Sequence, residues 1–272
     1  MKRKEILLAG VLAVGIVATA AVVPMVTEAR PAFEIPVEQA GEDNDLARAN
    51  GQDWATVPAA TVHLESAGAA VPNADDTTIE QVKVAAARTD ERLYLRLSWA
   101  DATRDTSTDE IRAFADAVAV QIPRDADERP PIAMGSTDNM VNVWYWGGDR
   151  GAEELLAGGP GTTTRLDNAG VTSNASYSDG RWRVAVSRPL TTDAENRTAI
   201  PKNSDMDLAL AVWNGSNSER SGQKAVSEWY YLALGPGPAG PPYEALLWAV
   251  AGIGIVITTL VTIEGVRRTR GE

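Results

Sequence analysis

Residues 131–146 read PIAMGSTDNMVNVWYW. Pro130 and Pro131 force an extended or turning backbone, so Met134, just before Gly135, falls in a loop that can aim its side chain inward. Val141–Trp146 then turns to β-branched and aromatic residues, the texture of a strand. The same texture recurs on both sides of this stretch, over Ala60–Leu64, Gln81–Ala87, Arg92–Trp99, Ala117–Ile122, Trp182–Arg188, Asp207–Trp213 and Trp229–Leu234. Turn pairs such as Asp179-Gly180, Asn214-Gly215 and Ser221-Gly222 punctuate these runs. Only Ser107–Ala115 and Ala152–Ala157 suggest short helices. The pattern predicts an all-β antiparallel β-sandwich with short helices, one domain over residues 49–234.

The flanks differ from this domain. Residues 6–27 carry no charge and follow Met-Lys-Arg-Lys-Glu; at about 1.5 Å per residue they reach roughly 33 Å, enough for a bilayer core. Residues 1–29 are therefore expected to be an N-terminal membrane anchor, with a cleaved signal as the alternative. Residues 30–48 are acidic and unpatterned and read as a linker. Residues 235–243 are a second one, stiffened by proline. Ala245–Ile263 is another uncharged run, which predicts a transmembrane helix over 244–266 and a basic tail over 267–272. Basic residues lie outside both runs, so the expected topology has cytoplasmic termini and an extracytoplasmic domain anchored in the cell membrane. The sequons at Asn174, Asn196 and Asn214 are compatible with export.

Composition removes whole classes of function. The formal net charge is -12, which argues against nucleic-acid binding. Residues 27–243 hold nineteen basic against thirty-three acidic side chains, and only Lys83, Lys202 and Lys224 among the basic ones are lysine. An acidic, lysine-poor surface reads as a halophile's. With no cysteine and one histidine, the chain has no disulfides, thiolate metal sites or covalent haem attachment, and a single candidate for a catalytic histidine.

What remains is aromatic. Seven of the eight tryptophans lie in or beside the β segments, and such walls suit a flat ligand as well as a packed core. The donors left for a metal are His63, Met134, Met140, Met206, tyrosines and the few lysines. Lys224 sits in a Gly/Ser-rich turn before Ala225-Val-Ser-Glu-Trp229. Arginine cannot serve as a neutral nitrogen donor, and lysine does so only by losing a proton, at roughly 4–5 kcal/mol at neutral pH. His63 alternates within a strand, where a half-exposed position is its ordinary fate.

Several segments together resemble the haem-binding subunit of molybdenum enzymes of the ethylbenzene dehydrogenase and dimethyl sulfide dehydrogenase type. They are Trp54 with Val57-Pro58, Leu93–Asp101, Asp116–Pro123, Met134-Gly135 with Val141–Trp146, Tyr177–Val184 with Arg188-Pro-Leu190, Ala211–Gly215 and Lys224–Trp229. The resemblance covers roughly residues 50–234 and, with the acidic surface, suggests a haloarchaeal member. It implies a β-sandwich holding one non-covalent haem b, with Met134 and Lys224 as axial ligands and Trp144, Trp146 and Trp229 as pocket candidates. In methionine/histidine sandwich cytochromes, which are similar in broad design, His63 would take the place of Lys224. The implied role is an electron-transfer subunit, not an enzyme. Its expected partners are a molybdopterin catalytic subunit, an iron–sulfur subunit and a quinol-oxidising membrane cytochrome, with nitrate as the substrate expected for the complex. The rival readings are a tethered carbohydrate-binding module using the tryptophans as platforms, and a structural or sensory ectodomain.

Overall fold

The computed structural model describes residues 32–235, apart from 126, 127 and 169, together with scattered positions between 254 and 268. The expected span at 6–27 lies outside the described residues, and the one at 244–266 lies largely outside them. No helix among the described residues is long and apolar enough to cross a membrane.

Fourteen strands among the described residues form the domain. The first seven are β1 (Glu34–Gln39), β2 (Ala59–His63), β3 (Glu65–Ser66), β4 (Gln81–Arg88), β5 (Arg92–Ala100), β6 (Ala117–Pro123) and β7 (Val141–Gly147). The rest are β8 (Gly151–Ala157), β9 (Thr164–Arg165), β10 (Thr172–Ser178), β11 (Arg181–Pro189), β12 (Met206–Trp213), β13 (Ala225–Val226) and β14 (Tyr230–Ala233). They hydrogen-bond in the order β10-β11-β5-β4-β1-β14-β12-β6-β7-β8-β9. This curled sheet folds over as a sandwich. One half is β10, β11, β5 and β4 with β2 beside it; the other is β14, β12, β6, β7, β8 and β9, with β13 on β12.

The core lies between the halves. Leu93, Leu95, Leu97 and Trp99 of β5 alternate inward, as period two requires, and so do Val118, Val120 and Ile122 of β6. Burying each such side chain contributes about 1.5–3 kcal/mol. At the centre Trp99 meets Trp146 across the sandwich at 6.4 Å and Trp182, its cross-strand partner, at 6.3 Å.

All eight expected strands occur; β3, β9, β10 and β13 are additional to them, and three further segments depart from expectation. Residues 34–39, expected within a linker, form β1, which pairs parallel with β14 through Glu34–Pro36 and with β4 through Val37–Gln39. It thus passes from one half-sheet to the other. Ala152–Ala157, expected as a helix, belongs to β8, because a Gly147–Gly151 turn with φ +78° at Gly151 folds it back in register on β7. Ser107–Ala115 makes one isolated turn, Ala113 N–H to the Glu110 carbonyl. Its ends are drawn together by Asp116, whose N–H donates to the Asp105 carbonyl and whose carboxylate accepts from the Asp105 N–H, each at 2.8 Å. Within the domain the helices among the described residues are 3-10 turns at Gln52–Ala55 and Gly215–Asn217, while the positions described between 254 and 268 are α-helical.

Candidate functional site

The outer face of the second half-sheet is unusual for what it lacks. In cross-strand register, Ala211 of β12 faces Ala119 of β6, which faces Tyr145 of β7. The next row on that face runs from Ala209 through Gln121 and Val143 to Leu155 of β8. The floor is therefore small at its centre. Around it stand Met134, Tyr145, Trp213 and Trp229, each partly buried against the apolar patch of Ala119, Val141, Val143 and Ala157.

Met134 reaches this floor from the 130–136 loop. Its own φ is +65° and that of Gly135 is +75°, so two consecutive residues are left-handed, a conformation glycine accepts and methionine adopts at a cost. The loop is pinned on several sides. Gln121 Nε2 donates to the Ile132 carbonyl at 3.1 Å, Gly135 N–H donates to Pro131 O at 2.9 Å, and Gly159 N–H donates to Met134 O at 2.9 Å. A Cβ on Gly135 would lie 2.6 Å from the Asn139 carbonyl oxygen, so residue 135 must be glycine for the loop to close.

Lys224 enters from the opposite side, at the end of the turn before β13. Its Nζ is 3.8 Å from Met134 Sδ and 5.1 Å from the Trp213 ring centre. Burial holds its amine below the usual lysine range. No carboxylate among the described residues forms an ion pair with it. Burial likewise pushes the Tyr145 hydroxyl up to about 12, so it stays protonated. A thioether and a desolvated amine thus face each other over a flat apolar floor. Neither has another strong partner among the described residues, and a thioether beside a neutral amine is a pair of donors able to clamp a transition metal.

The family model described as ethylbenzene dehydrogenase matches residues 51–170 and 158–225, which together span well over half of the chain. The chain belongs to the ethylbenzene dehydrogenase family. Three relatives cover most of their own length with it. A Haloferax mediterranei protein named "respiratory nitrate reductase heme subunit ORF7" is 51% identical over 271 residues, 100% of this chain and 98% of its own. The dimethylsulfide dehydrogenase subunit gamma of Rhodovulum sulfidophilum is 34% identical, over 78% of this chain and 85% of its own. The chlorate reductase subunit gamma of Ideonella dechloratans is also 34% identical, over 69% and 80%.

Within this ethylbenzene dehydrogenase family chain, the fold sorts the residues singled out from sequence. Met134, Lys224 and Trp229 come together on the outer face. Trp144 and Trp146 do not. They alternate with Val143 and Tyr145 and point into the sandwich core, where Trp144 Nε1 donates to Asn142 Oδ1 at 3.3 Å beneath the Arg188 guanidinium. His63 is exposed at the end of β2, on the other half-sheet. Tyr145 and Trp213 were missed. Because β7 is apolar on both faces, alternation alone could not say which parity faces the site; the parity of Trp213 with Ala211 and Ala209 was the available signal.

Proposed function

We infer that this chain is a haem-carrying electron-transfer subunit of an oxidoreductase complex, with no catalytic centre of its own, and that Met134 and Lys224 are the axial ligands. One observation carries the assignment: two potential donors ninety residues apart in sequence stand 3.8 Å from each other on a floor of small side chains. From this separation a small outward rotation of either side chain would admit a metal between them. The residues fit the group in other respects too. The Ala119–Ala211 floor leaves room for a planar ring, and Tyr145, Trp213 and Trp229 supply apolar walls. Burial of Lys224 favours the neutral amine that coordination requires. With no cysteine, attachment is non-covalent, as in a b-type cytochrome. A haem with both axial positions filled supplies one-electron transfer and offers no open position to a substrate.

The relatives' names support a place beside a catalytic subunit, and nitrate is the substrate we assign to that complex on the 51% identical relative. The uncharged runs at 6–27 and 245–263 support a domain tethered to the cell membrane and facing outward. A molybdopterin subunit, an iron–sulfur subunit and a quinol-oxidising cytochrome are the partners that would use such a relay. The carbohydrate-binding alternative is left with Trp213 and Trp229 as platforms, since Trp54, Trp99, Trp144, Trp146 and Trp182 are all buried.

The test is spectroscopic. The chain expressed with haem available is expected to show a low-spin Soret band and sharp reduced α and β bands. Met134→Ala or Lys224→Ala is expected to convert it to high spin or to lose the haem. A folded but colourless wild type would refute the haem reading, and two unaltered variant spectra would refute the ligand assignment.

A further inference from the structure

A Gly/Ser-rich turn does not by itself hold a lysine still. Fixing that long side chain in one rotamer costs entropy, so a neighbour must do the holding. Three observations single out Trp213. The β12–β13 register pairs Ala211 with Val226 and Val212 with Ala225, so the next residues along, Trp213 and Lys224, stand opposite each other on the same face. The Trp213 ring packs against the lysine, its centre 5.1 Å from Nζ. Its Nε1–H donates to the Ser221 carbonyl at 3.2 Å, within the turn that delivers Lys224 and at a residue whose φ is +52°. Tyr145, edge-on at 5.8 Å, braces the ring.

We propose that Trp213 is the positioning residue for Lys224: its ring and its bond to Ser221 together aim the amine at the metal position opposite Met134. Trp213 is not itself a ligand. The ring face closes off rotamers that would carry Nζ away, and the indole N–H fixes the height of the turn above the floor. The proposal rests on the reading of Met134 and Lys224 as the axial pair.

The experiment compares haem-loaded wild type, Trp213→Leu, Trp213→Phe and Trp54→Leu. Trp54 packs on the outer face of the other half-sheet, against Ala85, Ala87 and Tyr94, so its loss costs stability without touching the site. Visible absorption reads the spin state, and imidazole titration reads how easily the lysine is displaced. Trp213→Leu is expected to give a mixed-spin spectrum and to bind imidazole about tenfold more tightly, the effect of releasing a fixed rotamer. Trp213→Phe keeps a ring but loses the Ser221 bond, and should fall between the two. Trp54→Leu should match wild type in both readouts. A folded Trp213→Leu with the wild-type spectrum and imidazole affinity overturns the proposal, as does a Trp54→Leu that shifts equally. If Trp213→Leu does not fold, Trp213→Phe decides, and unchanged affinity there overturns it. A Lys224→Ala protein whose spectrum equals wild type sinks the axial reading itself, and the positioning role with it.

Discussion

Asp116, the residue before β6, is fully buried, and its carboxylate accepts from Trp182 Nε1 at 2.9 Å, Asp105 N–H at 2.8 Å and Gly215 N–H at 2.9 Å. Burial raises its pKa to about 6, against the opposing pull of those three donors, with the nearby Asp101 adding to the rise. A folded-state value above the unfolded one sets the sign. Below about pH 4 the group is protonated in both states, and its contribution to stability is fully present. Between about pH 4 and 6 the unfolded chain releases the proton while the folded chain keeps it, so stability drains away as pH rises. From 3.8 to about 6, at about 1.4 kcal/mol per unit, the loss is on the order of 3 kcal/mol. Asp116→Asn keeps the shape and cannot titrate, and the other groups largely cancel when variant and wild type are compared at each pH. Urea denaturation followed by tryptophan fluorescence, at fixed high salt, is expected to show the variant gaining on wild type by about 3 kcal/mol between pH 4 and 7. The constant offset from swapping an acceptor for an amide does not enter that slope. A difference flat with pH, or one falling as pH rises, would mean that the three donors outweigh burial and that the reasoning is wrong.

Two further outcomes concern a buried ion pair and the floor of the site. Glu154 is fully buried between Arg188 at 3.0 Å and Arg197 at 2.9 Å. Glu154→Gln leaves the Arg188 charge uncompensated and should lower stability by about 3–5 kcal/mol, read as a depressed melting temperature. Ala119→Phe places a ring on the site floor while leaving both proposed ligands intact. Loss of the Soret band with an unchanged circular dichroism spectrum is the expected result, and normal haem uptake would count against the floor's role.

Strands whose apolar residues face one core were legible because alternation is a local signal. β5 is the clearest case, with Leu93, Leu95, Leu97 and Trp99 all turned one way. The elements that were missed depend on partners far away in sequence. β1 carries Pro36 and three acid or amide side chains, yet it lies between β4 and β14 because those strands present free edges there. β10, Thr-Ser-Asn-Ala-Ser-Tyr-Ser, is a polar edge strand whose only sheet partner among the described residues is β11, and it has no hydrophobic pattern to read. β8 reads Gly-Ala-Glu-Glu-Leu-Leu-Ala, good helix-forming composition overridden by its turn. In the site, Met134 and Lys224 stood out through the family resemblance, whereas the choice between Tyr145 and its tryptophan neighbours needed the facing direction of a strand apolar on both sides.

β1 also sets an order of events. Ile35 pairs with Leu232, at the far end of the domain, while its following residues pair with β4. A chain emerging from its N-terminus has made the Met134 loop and three strands of the floor long before β14 or Lys224 exists. Until the last strand arrives, the first has one edge unmatched and the clamp has one jaw. Closure of the sheet and completion of the proposed clamp thus depend on the same short C-terminal stretch of the domain, from Lys224 through β14. On the proposed ligand assignment, a molecule that fails to close its sheet would also lack the lysine side of its haem site, so haem uptake would report that the whole domain has been built.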